Sequence, residues 1–230
     1  MKKIGIIGGL SAESTIEYYK ILVKEYNKLK GGLSSPLLVI DSLDLEEVRN
    51  LVDTNKWDEV VKIISKSARN LEKSNAEIII IATNTIHKIF ERVQENIETP
   101  MINLLVTIAD AIKEQGLKKV GLLGTIYTMQ LDFFQNALIK HNIEVIVPNQ
   151  ADQEYVNQVI FEELVHNILK DESKRGYLEV IKRLQEKGAE GVILGCTEIP
   201  LLVKQEDSSI PVFDTTTIHA LATLKYALSD

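Results

Sequence analysis

Cysteine is nearly absent from this chain of 230 residues, in which it occurs once. One cysteine excludes a disulfide within the chain and any zinc site built from several thiolates. Long apolar runs are also absent, and none approaches the roughly 20 residues that cross a bilayer. The run Ile4–Leu10 contains three glycines and is soon followed by Glu13, which favours a first β-strand over a signal peptide. We therefore expect a soluble, cytoplasmic protein without a membrane partner.

Basic residues are too few to form a nucleic-acid surface. The chain has 26 Lys and Arg against 33 Asp and Glu, a formal net charge of -7, and no run rich in Lys and Arg. Nucleic acid binding requires a basic footprint, so we expect no nucleic-acid partner. The composition is otherwise that of a globular protein, with room for one large domain or two small ones.

Short apolar runs alternate with amphipathic segments along the whole chain, which predicts parallel sheets covered by helices on both faces. The predicted strands are Lys2–Gly8, Leu37–Asp41, Glu77–Ala82, Met101–Asn103, Lys119–Gly124, Glu144–Val147, Gly191–Leu194 and Val212–Phe213. The predicted helices are Ser14–Leu29, Asp58–Ser74, Leu104–Gln115, Met129–His141, Gln153–Lys170, Ser173–Lys187 and Thr216–Leu228.

Three segments of the first half match three segments of the second half in the same order. The first match aligns NAEIIIIATNTI (75–86) with GAEGVILGCTEI (188–199) without a gap, at an offset of 113 residues. KIGIIGG (3–9) matches KVGLLGT (119–125), and TPMIN (99–103) matches IPVFD (210–214). These matches predict two similar α/β halves. The alternative is that buried strands simply look alike, but this does not explain the matched polar residues that follow them.

The polar residues after the matched strands are the candidate site. Ligands of open parallel sheets bind beyond the carboxyl ends of the strands, so two such halves are expected to place Thr83 and Cys196 across one cleft. The predicted domains are residues 1–103 with 212–230, and residues 104–211. The glycines of GIIGGLSAES do not have the G-x-G-x-x-G spacing of a dinucleotide site. They allow a tight turn before Ser11, where backbone N–H groups suit a carboxylate.

Cys196 has two interpretations. A lone cysteine is commonly a small buried apolar residue, but Cys196 leaves a strand where a helix begins, and a helix start lowers a thiol pKa. It is then a candidate nucleophile or base. A cysteine hydrolase would also need a histidine, and the sequence places none beside Cys196. His87 lies four residues after Thr83, where it either lines the same cleft or contacts only its own helix.

The motifs GIIGGLSAEST, ATNTIH and GCTEIP together resemble the aspartate/glutamate racemase family over essentially the whole chain. The resemblance implies an α/β fold of two pseudo-symmetric, flavodoxin-like, parallel-sheet halves with the active site between them. It also implies a reaction without cofactor or metal, in which two cysteines, one from each half, act on opposite faces of an amino-acid α-carbon. Inversion of a stereocentre through a planar carbanion requires an acid and a base so placed.

This chain departs from the family pattern at Thr83, which stands where the first catalytic cysteine is expected. The catalytic residues implied are therefore Thr83 and Cys196. A hydroxyl is a much weaker acid and base than a thiol, so the resemblance implies a racemase that acts best on L-aspartate or L-glutamate. Further substrate-binding residues implied by the resemblance are Ser11, Arg49, Asn84, Thr85, Thr125, Thr128, His166, Thr197 and Glu198.

Several alternatives remain open from sequence. Arg49 either binds the side-chain carboxylate of the substrate or is a solvated helix residue, and His166 lies near where relatives often carry a lysine. The whole protein could instead be a one-cysteine relative that decarboxylates or isomerises another carboxylate, or a non-catalytic module that binds a ligand. The expected partner is a small amino acid, and a homodimer is possible.

Overall fold

The computed structural model describes residues 1–229 and divides into two compact units. Unit 1 is Met1–Asn103 together with the chain from His219 onward, and unit 2 is Leu104–Ile218. The strands are β1 Ile4–Gly8, β2 Leu38–Ser42, β3 Ile78–Ile81, β4 Lys119–Leu123, β5 Glu144–Ile146, β6 Gly191–Leu194 and β7 Val212–Asp214.

The helices alternate with these strands. They are α1 Ala12–Lys30, α2 Leu45–Asp53, α3 Trp57–Lys73, α4 Phe90–Gln94, α5 Leu104–Glu114, α6 Ile126–Gln130, α7 Phe133–Ile139, α8 Gln150–Glu162, α9 Asp171–Glu186, α10 Ile199–Leu202 and α11 Thr215–Leu228. Short 3-10 helices cover Thr85–Ile89, Leu164–His166 and Gln205–Asp207. Within the part of the chain that the structure describes, no helix is both long and apolar enough to span a bilayer.

Each unit contains one parallel sheet, and the predicted α/β fold class is confirmed. The sheet of unit 1 has the order β2-β1-β3, and the sheet of unit 2 has the order β5-β4-β6-β7. In both sheets the first strand lies between the second and the third. The connections therefore change direction at the carboxyl ends of β1 and β3 in unit 1, and of β4 and β6 in unit 2. These switch points are where ligands bind in open α/β sheets.

The four isoleucines of β3 are all buried because helices cover both faces of the sheet. Ile78 and Ile80 belong to the apolar cluster that includes α1 and α11, whereas Ile79 and Ile81 belong to the cluster formed with α3 and α4. A strand covered on both faces reads as a continuous apolar run rather than an alternating one. Strand β6 repeats this arrangement in unit 2, where alternate residues face α8 and α9 or α5 and α7.

The two sheets also begin with the same pair of hydrogen bonds. In unit 1 the Lys3 amide donates to Glu77 Oε1 at 3.0 Å, and the Glu77 amide donates to the Lys3 carbonyl at 2.8 Å. In unit 2 the Lys119 amide donates to Glu190 Oε2 at 3.0 Å, and the Glu190 amide donates to the Lys119 carbonyl at 2.8 Å. The predicted sequence repeat therefore has a counterpart in backbone geometry.

Some predicted elements differ in the structure. The predicted strand Met101–Asn103 is reduced to a single bridge between Ile79 and Met101. The predicted helix Met129–His141 is two helices, α6 and α7, and α2 was not predicted. The chain was predicted to return to the first domain at residue 212, whereas in the structure it returns at residue 219. Strand β7 pairs with β6 and so belongs to the second sheet.

Gly9 allows two loops of unit 1 to approach closely at the end of β1. Its φ is +76°, and a Cβ atom there would lie 2.1 Å from the Leu43 carbonyl oxygen and 2.5 Å from the Leu43 amide nitrogen. The adjacent Gly8 carbonyl accepts a hydrogen bond from that amide at 3.0 Å. Only glycine fits both the left-handed backbone and the contact.

Gly9→Ala is therefore expected to destabilise unit 1 much more than Gly32→Ala. Gly32 also has a positive φ, +61°, but no atom lies within 4 Å of its added Cβ. The control should cost about 1–2 kcal/mol for the left-handed backbone, and Gly9→Ala at least about 2 kcal/mol more because backbone must move. The measurement is urea unfolding followed by fluorescence of Trp57, the single tryptophan, which lies in unit 1. Equal losses of stability for the two variants would contradict this account.

Candidate active site

Thr83 lies two residues after the end of β3, and the backbone of the intervening Ala82 is held on both sides. The Ala82 amide donates to the Ile7 carbonyl at 3.0 Å, and Ser14 Oγ donates to the Ala82 carbonyl at 2.7 Å. Thr83 is partly buried, Asn84 is buried, and Thr85 opens a 3-10 helix. The structure thus brings Thr83, Asn84 and Thr85 together at the carboxyl end of β3, as the sequence predicted.

Ser11 lies at the neighbouring exit, after β1, where it caps α1. Its Oγ accepts from the Ser14 amide at 3.2 Å, and its carbonyl accepts from Thr15 Oγ1 at 2.9 Å. Thr15 Oγ1 also accepts from the Gly9 amide at 2.9 Å, which fixes the turn between β1 and α1. Because Ser14 bonds to the end of β3, the two exits of unit 1 form one rigid edge.

The corresponding exit of unit 2 carries Cys196, Thr197 and Glu198 after β6. The Gly195 amide donates to the Leu123 carbonyl at 2.6 Å, which matches the bond between Ala82 and Ile7 in unit 1. Cys196 Sγ donates to Glu198 Oε2 at 2.9 Å, and Thr197 Oγ1 donates to the same oxygen at 2.8 Å. Glu198 is only 6% exposed. A thiol and a hydroxyl therefore share one buried carboxylate oxygen.

The expectation that a helix start lowers the pKa of Cys196 is wrong. Burial is the main cause that raises the pKa of this thiol well above its usual value, and the Glu198 carboxylate raises it further. Helix α10 begins only at Ile199 and has four residues, so it is too short to offset these effects. Backbone amides of Thr197 and Glu198 oppose the rise without cancelling it. Cys196 is a protonated thiol at neutral pH.

Thr125 and Thr128 stand at the other exit of unit 2, after β4. Thr125 caps α6, and its Oγ1 accepts from the Thr128 amide at 3.4 Å and lies 3.2 Å from Thr128 Oγ1. Thr128 is buried. Within unit 2 all predicted residues except His166 therefore lie after the carboxyl ends of β4 and β6, the two strands at the switch point.

Arg49 and His166 are less closely tied to these exits. Arg49 lies on α2, is more than half exposed, and has its Nε 3.6 Å from Asp53 Oδ2. His166 is exposed at the end of the 3-10 helix after α8. Their substrate-binding roles stay predictions. Among the described residues, no group of three or more His, Cys, Asp or Glu side chains could hold a metal ion.

His87 contacts its own turn, which is one of the two predicted alternatives. Its Nδ1 lies 2.8 Å from the Thr83 carbonyl oxygen, and its ring stacks on Phe90 at a centroid distance of 5.6 Å. His87 is 4% exposed. Burial lowers its pKa to about 4, although the carbonyls of Thr83 and Asn84 partly oppose this. His87 is therefore a neutral hydrogen-bond donor at physiological pH.

His219 and Tyr18 complete this buried cluster, and sequence reasoning did not place them there. The rings of His87 and His219 meet edge to face with centroids 5.6 Å apart. His219 Nδ1 lies 2.8 Å from the Tyr18 hydroxyl and its Nε2 lies 2.9 Å from the Ile102 carbonyl. Burial, reinforced by His87, lowers the pKa of His219 to about 3. A histidine between Ile218 and the largely apolar segment ALATL (220–224) of α11 was the only sequence signal.

The family of the chain follows from comparison with known proteins. A family model described as Asp/Glu/hydantoin racemase matches residues 7–223. The chain belongs to this family and is a racemase, which makes it an isomerase. The family predicted from the three motifs is confirmed.

Particular relatives agree with this assignment. A crystal structure described as a candidate Asp/Glu racemase from Yersinia pestis is 43% identical over the whole of both chains, with a TM-score of 0.94. An aspartate racemase homologue from Pyrococcus horikoshii is 40% identical, also over the whole of both chains, with a TM-score of 0.91. The broad specificity amino-acid racemase RacX of Bacillus subtilis is 26% identical over 98% of each chain.

Glu198→Gln is expected to lower the pKa of Cys196 towards its usual value. The substitution removes the negative charge beside the thiol, while the burial that also raises the pKa remains. Because Cys196 is the only cysteine, its alkylation by iodoacetamide can be followed by intact-mass spectrometry across a pH series. The alkylation midpoint should move to lower pH in Glu198→Gln. Glu206→Gln, at an exposed position of the same unit, is the control and should leave it in place. A midpoint at or above that of the wild type would contradict the contribution of Glu198.

His87→Leu is expected to weaken the dependence of stability on acid. In the unfolded chain His87 titrates near pH 6.5, but in the folded protein only near 4. Its neutral form supports full stability above about pH 6.5, and that contribution is lost as the pH falls towards 4. The slope of unfolding free energy between about pH 6 and 4.5 should therefore decrease by about 1.4 kcal/mol per pH unit in the variant. Urea unfolding followed by Trp57 fluorescence measures it, and an unchanged slope would contradict the low pKa.

Proposed function

We propose that this protein racemises an acidic amino acid, aspartate or glutamate, by proton transfer at the α-carbon between Cys196 and Thr83. The main support for this proposal is that the two residues occupy equivalent positions in two matching units. Each follows the residue whose amide bonds to the neighbouring strand, Ala82 in unit 1 and Gly195 in unit 2. Inversion through a planar carbanion requires an acid and a base on opposite faces of the α-carbon, and we propose that these two residues supply them.

In the proposed reaction Cys196 is the base for the L-enantiomer. The thiol proton moves to Glu198, whose Oε2 lies 2.9 Å from Sγ, and the resulting thiolate removes the α-proton. A thiol whose pKa is raised gives a stronger base once it is ionised, which favours abstraction from carbon. Glu198 then releases its proton to solvent. Thr197, which donates to the same oxygen at 2.8 Å, holds the carboxylate in place.

Thr83 is the proposed proton donor on the opposite face. Its hydroxyl delivers a proton to the carbanion while it takes one from solvent, because a free alkoxide would be too basic to form. This difference between thiol and hydroxyl makes the enzyme asymmetric, and we propose that it acts best on L-substrates. The reaction needs only these acid and base groups, so we propose that it proceeds without pyridoxal phosphate or another cofactor.

The substrate assignment is supported by the relatives and by the donors around both exits. The protein from Pyrococcus horikoshii, 40% identical, is named as an aspartate racemase homologue. We propose that donors near Ser11, Asn84, Thr85 and Thr197 hold the α-carboxylate and amino group. Other groups proposed to contact the substrate are Arg49, Thr125, Thr128 and His166, with Arg49 directed at the side-chain carboxylate. A cytoplasmic location and a homodimer stay predictions.

The test is isotope exchange in D₂O with L-aspartate and L-glutamate as separate substrates. Proton NMR measures loss of the α-proton signal, and chiral chromatography measures the D-isomer. The wild type should incorporate deuterium and form the D-isomer of at least one substrate. Cys196→Ser should slow both by at least about 100-fold, as expected for loss of an acid–base group. Thr83→Ala should retain exchange in the L-isomer but lose most of the D-isomer.

Thr54→Ala, at an exposed position of unit 1, is the matched control and should leave both rates unchanged. Thr83→Cys should accept the D-enantiomer better than the wild type does. If neither substrate exchanges its α-proton, the proposal fails for both. Exchange or carbon dioxide release without any D-isomer would instead indicate the one-base alternative, a decarboxylase or isomerase of another carboxylate.

A further inference from the structure

The buried cluster of His87, His219 and Tyr18 in unit 1 has no part in the proton transfers described above. It lies directly behind the exit that carries Thr83. Burial of two imidazoles in an apolar core is costly unless their polar atoms are used. Three contacts involve the His87 ring itself: those to the Thr83 carbonyl, to Phe90 and to His219. Only the first of these is a hydrogen bond, and it ends on the backbone of Thr83.

The 3-10 geometry of Thr85–Ile89 creates a place for a side-chain donor. In an α-helix the amide of residue 87 would donate to the carbonyl of residue 83. Here the His87 amide donates to the Asn84 carbonyl at 3.0 Å, a step of three residues. The Thr83 carbonyl is instead met by His87 Nδ1 at 2.8 Å. Since a carbonyl only accepts, this contact assigns the proton of the neutral ring to Nδ1.

The ring that makes this contact is restrained from both sides. Phe90 stacks on it with an interplanar angle of 9°, and His219 meets it edge to face at 79°. His219 is itself fixed, through its two nitrogens, by the Tyr18 hydroxyl and a backbone carbonyl. His87 Nε2 is buried and makes no hydrogen bond among residues 1–229. A leucine would avoid that cost, so the donor at Nδ1 is the property that requires a histidine.

We propose that His87 is a positioning residue for Thr83. It holds the Thr83 carbonyl and thereby orients the Thr83 hydroxyl for protonation of the carbanion. The Ala82 carbonyl is held by Ser14 in the same way. Two successive carbonyls are thus fixed, and the plane of the peptide that follows Thr83 cannot rotate freely. The inference rests on the proposed function, because it assigns Thr83 the proton donated on the opposite face. A displacement of about 1 Å at a reacting group can lower a rate by about 100-fold.

The test compares His87→Leu with His87→Asn in the same D₂O assay with the L-substrate. Asparagine places Nδ2 near the position of the histidine Nδ1 and keeps the donor, whereas leucine keeps apolar volume without the donor. The quantity measured is a ratio of two products. Its numerator is the amount of D-isomer formed, and its denominator is the amount of L-isomer that has gained deuterium at the α-carbon with retention of configuration. Retention uses only Cys196, so this ratio reports the share of protonation that occurs through Thr83.

The two variants are expected to rank in opposite orders for activity and for stability. His87→Leu should lower the ratio by at least about 10-fold with a nearly unchanged KM, and His87→Asn should restore most of it. His87→Asn should be the less stable variant, because it loses the ring packed between Phe90 and His219. A merely structural role predicts that activity follows stability. His141→Asn, in unit 2, is the control and should leave the ratio unchanged.

The outcomes separate this inference from the proposed function. If the wild type racemises and His87→Leu keeps the wild-type ratio, His87 does not position Thr83 although the function stands. The inference is also overturned if His87→Asn loses as much as His87→Leu. If the wild type exchanges no α-proton, the proposed function fails, and the role of His87 fails with it. A ¹⁵N NMR spectrum that shows the proton of His87 on Nε2 would overturn the inference independently of activity.

Discussion

A parallel strand covered by helices on both faces can present polar groups only where it leaves the sheet. Strands β3 and β6 are of this kind, and every residue in both is buried. The first residue beyond each strand still bonds to the neighbouring strand, through Ala82 in one unit and Gly195 in the other. The proton transfers proposed for this racemase therefore involve residues that come directly after these two points. The loops at both exits are held by hydrogen bonds in addition to the apolar packing of Ile86 and Ile199.

The two exits are supported in different ways. At the exit of β6 the hydrogen bonds involve the side chain proposed to react, since Cys196 and Thr197 both donate to Glu198. At the exit of β3 the support acts on the backbone, through Ser14 on one carbonyl and His87 on the next. A thiol needs a partner that controls its ionisation, whereas a hydroxyl is never ionised at neutral pH and needs only direction. Hydrogen bonding to the side chain of Cys196 and to the backbone of Thr83 therefore matches the different chemistry of a thiol and a hydroxyl.

Much of the fold was accessible from sequence because apolar runs and matched motifs are local patterns. The runs around Ile78 and Val192 predicted buried strands, and their shared offset predicted two similar sheets. The strand predicted at Met101 was reduced to one bridge, because a three-residue apolar segment does not determine how many pairing bonds form. Helix α2 was missed, since Val48 is its only buried residue and a single buried position gives no helical pattern. The pKa of Cys196 was predicted in the wrong direction, because desolvation of the thiol, the main cause, and the position of the Glu198 carboxylate both depend on how the loop folds back.

The α/β class, the family and the placement of Thr83 and Cys196 after matching strands could be read from the chain alone, because they depend on residue types at short spacing. The surroundings of these two residues depend on the three-dimensional fold. It brought Tyr18 and His219, 201 residues apart, into hydrogen-bonding contact behind Thr83. It also placed the partly buried Cys196 thiol beside the Glu198 carboxylate, and desolvation together with that charge reversed the expected shift of its pKa. Burial and charge act through distance in space, and no local pattern in the chain records that distance.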